Sequence, residues 1–524
     1  MTSPPFTRRG LILGSALAGG AAIGGGLWLA RGSGTAPIAT TAQTDDTPRR
    51  GGLIRVGTIE ATQSGNLDAH APLGAGIIRG WALYAKLWEW THDCAPRLAL
   101  AEESETSADG TSLTVRLRRG LEFHHGKSIT ADDVIFSIRR LSDPAVASPY
   151  AALVSPVDRD RIERLDDLTV RLHAKPGQGL VALPETWISF GGIVPTDYHP
   201  VTNVVGAGPF RLESFVPGQR ATFRRFENYY KPGQPYIDAL EIIEFGDQTA
   251  RAHALIAGQI DVADLVPSEQ AQLLRATPGV AVVVSPTNNV QSLDINLDHP
   301  QFQDVRVRQA LRLLADRQDL VNRALRGEGR VANDLYAPHD PTYNHAIAQR
   351  PHDPDQARFL LKQAGAEGLA AEITTNNAGA AAALVFAEQA KQAGLSLTVK
   401  KLDDASFNGP QKNQRAISTG GIPSRGFLAS ALHYDAPTAT SNRTNFRDPR
   451  FGELLTAALK EPDITKRTPL VHEAQQIQHE RGGLLIWGFN HVRAAARANI
   501  GGLASELTQF AGWRFDDLWR REVG

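Results

Sequence analysis

Several residue groupings in this chain come close to known chemistry and then miss its spacing. Gly120-Leu121-Glu122-Phe123-His124-His125-Gly126-Lys127-Ser128 approaches a phosphate-binding loop. Such a loop needs its two glycines four residues apart, so that its N–H groups converge on one phosphate. Five residues intervene here. Gly421-Ile422-Pro423-Ser424-Arg425-Gly426 is one residue too long for a nucleophile elbow. Gly206-Ala207-Gly208 lacks the third glycine of a dinucleotide loop. His124 and His125 are adjacent, so on a strand they face opposite sides and cannot easily share a metal. His472 and His479 share one face of a predicted helix beside Glu473 and Glu480, yet make no His-Glu-x-x-His pair. They read as solvated helix residues. No catalytic constellation emerges, which favours a binding protein over an enzyme, with no cofactor and no resident metal.

The composition supports that direction. The 524 residues carry 55 Lys+Arg against 56 Asp+Glu, a formal net charge of −1. Nucleic-acid binding needs a basic surface, so no nucleic-acid partner is expected. A single cysteine, Cys94, excludes an intrachain disulfide framework and Cys-rich zinc sites. The length suggests three to four units at ~150 residues per domain.

The N-terminus reads as an export signal. Arg8-Arg9 stands directly before an uncharged, Gly- and Ala-rich stretch over residues 10–30. Paired arginines before an apolar run resemble a twin-arginine (Tat) signal, which implies the Tat export machinery as a partner and a periplasmic location. An uncleaved anchor is the alternative, because about 20 apolar residues can span a bilayer. Residues 31–50 read as a disordered linker. The solitary cysteine is compatible with an oxidising compartment.

The elements that must position any site follow from periodicity. Residues 52–58, 113–118 and 168–172 alternate like strands, the second following the Asp109-Gly110 turn. Thr130, Asp132 and Asp133 open a helix with Val134, Ile135, Ile138 and Leu141 on its apolar face. Residues 205–245 look β-rich, and residues 250–257 read as a short helix closed by Gly258. After about residue 300 the texture becomes α/β. The spacing predicts an amphipathic helix over 304–325 and another over 353–364, capped by Asp353 with Pro354 first. It also predicts strands at 372–374 and 395–400, and helices over 380–393, 451–459 and 468–480.

The ordered succession of segments resembles the extracytoplasmic solute-binding proteins of ABC importers, in the peptide/nickel-type family 5. The stretch from Leu113 through Phe123-His124-His125-Gly126 to Thr130-Ala131-Asp132-Asp133-Val134 is similar to that family's strand, F-H-D-G and T-A-D-D-V signature. His125 stands where the family has Asp. Gly206-Ala207-Gly208-Pro209-Phe210, Asn228-Tyr229-Tyr230, Asp304-Val305-Arg306-Val307-Arg308-Gln309-Ala310-Leu311 and Asp353-Pro354 with Leu360-Leu361 are similar to later steps. The resemblance runs from about residue 51 to about residue 488.

It implies an α/β fold of two lobes, a type II, cluster C-like periplasmic binding protein. The first lobe would be discontinuous, residues 51–295 with 486–524, and would carry an extra β-rich subdomain. The second lobe would be 296–485. Crossover strands are placed at 293–297 and 484–489. It further implies hinge closure on a peptide or small polar solute by a monomer, with delivery to an ABC permease and its ATPase subunits. Asn296, at the first crossover, is a candidate ligand group by that resemblance. Residues 420–445 form the least regular part of the second lobe and offer Arg425, His433, Tyr434, Asp435 and Asn442. Peptide-binding relatives place an acidic side chain near here to meet the peptide amine, and Asp435 is the candidate. Trp187 and Trp487 would either stack on the solute or pack in the core. The rival readings are a Tat-exported hydrolase or metalloenzyme, and a nickel-chelate or haem carrier of the same fold in which His433, His472 or His479 converge.

Overall fold

The computed structural model describes residues 47–60, 65–437, 439 and 441–521. The signal-like segment and most of the linker lie outside the described residues. Among the described residues, no helix is long and apolar enough to cross a membrane.

Two long strands, Val280–Ile295 and Leu484–Arg497, run antiparallel side by side and organise the molecule. Both are rich in Val, Ile, Leu and Ala, which suits a sheet covered on both faces. At one end, Ala495 and Ala496 pair with Val262–Ala263. That strand leads through Leu53–Ile59 and Ala239–Phe245 to the antiparallel edge Arg220–Arg225 and Phe210–Val216. At the other end, residues 290–295 pair with Ile417–Ile422. From there the sheet continues in parallel through Ala370–Thr375 to Ser396–Lys401.

The register of the central pair breaks between Ser285 and Asn289, opposite Val492 and Asn490. Pro286 lies in that break and has no N–H for a ladder bond. The pair therefore leaves one half of the sheet and enters the other at 285–289 and 490–492. The stretches 293–297 and 484–489 lie inside the second half.

A separate antiparallel sheet of Ala101–Thr106, Ser112–Leu117, Thr169–Ala174 and Val157–Arg164 belongs to the first half. The helix Ala131–Leu141 packs beside it, its first turn tied by the Thr130 N–H donating to the Asp133 carboxylate at 2.9 Å. One apolar cluster joins Val115 and Val134 of this subdomain to Ile54, Phe210 and Leu240 of the main sheet. Two other clusters fill the faces of the second half, around Leu311 and Phe386 and around Phe427 and Phe451. The fold is thus two α/β lobes, the first with a β-rich extension.

Two local expectations change. The single helix expected over 304–325 is two, Val305–Leu314 and Arg317–Ala324. Ala315 is extended, and the Asp316 carboxylate caps the second helix by accepting the Asp319 N–H at 2.9 Å. His479 is not solvated: its helix, Ile464–Arg481, turns it into a buried polar cluster. There Asp334 accepts from Arg317 and Arg350 at 2.7 Å each and from the Ile486 N–H at 3.1 Å. His479 stands beside Arg350 and Asn333. Burial and the charge of Arg350 lower its pKa to about 4.

Candidate functional site

A cavity of about 550 Å³ lies between the β-rich subdomain of the first lobe and the Phe427–Tyr434 helix of the second. That volume is within the roughly 300–1,000 Å³ of small-molecule sites. Residues 151–157 with Arg159, Lys175 and Gln178 line it from the first lobe. Arg425, Ala429, Leu432 and His433 line it from the second.

The second-lobe wall is set by the central strand. The Ser424 N–H donates to Asn289 Oδ1 at 2.8 Å, and Ser424 Oγ accepts the Asn288 N–H at 2.9 Å. Asn289 and Asn288 sit at the register break, so the loop that carries Arg425 is fastened to the hinge itself. Phe427 then buries its ring against Tyr336, with centroids 5.1 Å apart, and starts the helix. Arg425 is only 8% exposed and has no hydrogen-bond or ion-pair partner among the described residues. His433 packs edge-on against Tyr434 at 4.5 Å. Burial, then the charges of Arg425 and Lys412, lower its pKa to about 4, so the imidazole is neutral near pH 7.

The lobes meet at two places beside the cavity. The Val181 N–H donates to the Leu459 carbonyl at 3.3 Å. Glu185, in the short helix Leu183–Thr186 of the first lobe, sets its carboxylate against Gly426 of the second. Asp340 accepts the Phe427 N–H at 2.6 Å. Two carboxylates from opposite lobes thus share one helix N-terminus, where N–H groups and the helix dipole favour negative charge. Burial, then the Asp340 charge, push Glu185 up to about 8. A Cβ on Gly426 would collide with both carboxylates. Gly426→Val is therefore expected to hold the lobes apart and to weaken solute binding at least tenfold with the melting temperature little changed. Calorimetric titration beside thermal unfolding checks this.

Of the expected site residues, the cavity takes Arg425 and His433. Asn296 is buried and braces the second lobe, donating to the Asn413 carbonyl at 3.1 Å and accepting from Asn445 at 3.0 Å. Asn442 holds its own loop through the Ala436 and Phe446 carbonyls. Tyr434 is half-buried and is not in the cavity lining. Trp487 is packed in the second-lobe core, and Trp187 is buried with its indole N–H on the Gly191 carbonyl at 2.8 Å. His433 lies at the cavity and His479 in the Asp334 cluster, and no group of three metal-ligating side chains occurs among the described residues. Glu185, Asp340, Arg159 and Lys175 were invisible as site residues in the sequence. Their one signal was indirect: the failed elbow at residues 421–426 is the loop that carries Arg425.

Asp435 has no exposed surface and bonds Gln478 at 2.8 Å. Burial pushes its carboxyl up to about 7. The folded chain keeps the proton while the unfolded chain releases it near the ordinary carboxylate value. The native state is therefore fully stabilised below about pH 4 and loses stability as pH rises toward 7. Asp435→Asn is expected to stabilise the protein by on the order of 3 kcal/mol at pH 8 and little at pH 4. Denaturant unfolding at both pH values checks this, and an equal effect at both would contradict it.

Two α/β lobes joined through a central strand pair, with a cavity where they meet, define a two-lobed solute-binding protein. The chain belongs to the bacterial extracellular solute-binding proteins, family 5, whose middle-region profile matches residues 95–429. It is accordingly an extracellular solute-binding protein. It is similar to the glutathione-binding protein GsiB of Shigella dysenteriae serotype 1. The two are 26% identical over 438 residues, which cover 78% of this chain and 83% of the relative. Its fold matches AgaA of A. tumefacien R10 in complex with agropinic acid, with a TM-score of 0.76 at 23% identity over 90% of this chain and 99% of the other. It also matches Helicobacter pylori DppA in complex with the peptide STSA, with a TM-score of 0.74 at 20% identity over 90% and 99%.

Proposed function

We propose that this chain captures a peptide or similar small polar solute between its lobes and delivers it to a membrane permease coupled to ATPase subunits. The reading is of a binder, not a catalyst, acting as a monomer outside the cytoplasmic membrane after export by the twin-arginine route. The first lobe would take residues 51–285 and the C-terminal segment after 492, and the second the residues between. The observation that carries the reading is the cavity of about 550 Å³ with one wall on each lobe and a register break in the strands that join them. The named ligands of the similar proteins, glutathione, agropinic acid and a short peptide, are solutes of that scale. A ligand that touches both walls favours the closed arrangement by its differential contacts.

Native mass spectrometry of protein from its source compartment is expected to show an exchangeable small solute. Small-angle scattering is expected to show a smaller radius of gyration with that solute than after its removal. A tightly held enzyme cofactor in its place, or identical scattering curves, would overturn the reading.

A further inference from the structure

We infer that the captured solute carries a carboxylate and that Arg425 is the group that receives it; this rests on the solute-capture reading and names its chemistry. Seven arginines are buried among the described residues: Arg79, Arg251, Arg308, Arg312, Arg317, Arg425 and Arg514. Six of them have partners inside the protein. Arg79 meets Glu244, Arg251 meets Asp264, Arg317 meets Asp334 and Arg514 meets Glu506. Arg308 and Arg312 donate to backbone carbonyls. Arg425 alone has no partner, and it faces the cavity. A buried charge without a counter-charge is unfavourable. A folded chain tolerates that where an incoming group removes the cost.

The sign of the cavity says which group. Arg159 and Lys175 face it from the first lobe and Arg425 from the second, and no Asp or Glu stands among its described lining residues. Arg159 makes one long contact, 3.4 Å to the Ser142 carbonyl, and Lys175 is exposed. A planar guanidinium binds a carboxylate through two parallel N–H···O bonds, which fixes orientation as well as charge. The cationic groups also lie on opposite lobes, so with nothing between them they repel and oppose closure. A carboxylated solute reverses that sign and bridges the walls. Neutral or cationic solutes of the same size would leave the repulsion in place, so closure itself selects the acid.

The test uses two tripeptide libraries of equal composition, one with free C-terminal carboxylates and one with C-terminal amides, added to the full chain and to Arg425→Gln and Arg425→Lys. Thermal shift and calorimetric titration read the binding. The free-acid library is expected to raise the melting temperature of the wild type and to bind at least a hundredfold more tightly than the amide library. Arg425→Gln should lose that preference, and Arg425→Lys should keep a fraction of it. Nothing in the protein bonds Arg425, so the unliganded Arg425→Gln chain should melt no lower than the wild type. Equal binding of acids and amides, no response to either library, or a preference that survives Arg425→Gln overturns the inference. Native mass spectrometry separates the two levels. A co-purifying solute without a carboxylate removes this inference and leaves solute capture standing. No solute, together with unchanged scattering, removes both.

Discussion

Asp334→Ala lowers the unfolding free energy by on the order of 3–5 kcal/mol, the expected cost of stripping one partner from a buried ion cluster. Asp334 is wholly buried and takes guanidinium donors from Arg317 and Arg350, with Arg312 at 4.0 Å. Its second oxygen accepts the N–H of Ile486, near the second-lobe end of the central strand pair. Removing it leaves cations and a strand amide without an acceptor in the second-lobe interior. The backbone adds to the effect, because Asp334 has φ +55, a left-handed conformation that Asp tolerates better than Ala. Burial alone would raise this carboxyl, but the charges of Arg317, Arg312 and Arg350 outweigh it and hold it below the ordinary value. The stability it contributes is therefore present above the unfolded carboxylate range and is lost as pH falls through the folded value. Urea unfolding at pH 7 checks this, and a loss below about 1 kcal/mol would contradict it.

The second large effect falls on affinity. Closure brings Glu185 against Asp340 at the N-terminus of the Phe427–Tyr434 helix, where burial and the Asp340 charge push its carboxyl up to about 8. With the lobes apart, Glu185 would return toward its ordinary value. Closure then takes up a proton between those values, so affinity is highest in acid and falls as pH rises toward 8. The groups that face Glu185 are Asp340, Arg467 and the Cys94 thiol. Burial raises the thiol further, so it does not change state below pH 8.5. Burial keeps the His433 imidazole neutral across this range in the closed arrangement. Between pH 6.5 and 8.5 the affinity for an acidic peptide is expected to fall on the order of tenfold, and Glu185→Gln should flatten the profile. Calorimetric titration in buffers of different ionisation enthalpy counts the proton directly. A pH-independent affinity in the wild type would sink the assignment.

Much of the fold was legible because its signals are local. Thr130 with Asp133, Asp353 with Pro354, and Gly258 after its helix each fix an element end by short-range bonding. The break at Asp316 was hidden, because the apolar stripe from Val307 to Leu320 continues across it. His479 misled for a related reason. Its neighbours in sequence are polar, while its partners Arg350 and Asn333 lie more than a hundred residues away. The site was less legible still. Arg425 and His433 could be named from the irregular loop, but Glu185 and Asp340 matter only because two distant segments meet at Gly426. Asp435 shows the converse. An acidic residue at the expected place in the chain has its side chain turned into the interior, beside Gln478. Residue type and position suggested it, and direction could not be read from either.

The amide of Asn289 has a consequence for how the solute leaves. Its oxygen holds Ser424 at 2.8 Å, while its nitrogen reaches Gln509, in the C-terminal segment of the first lobe, at 3.3 Å. The shorter bond keeps the arginine loop on the strand, and the longer one is the first to yield when the lobes rotate apart. Exit would then run in two stages. The rim at Val181 and Leu459 parts first, while the anionic end stays docked. The residence time is set in the second stage, by escape from one guanidinium now open to water and salt. A stopped-flow release rate that climbs with ionic strength would record that last step.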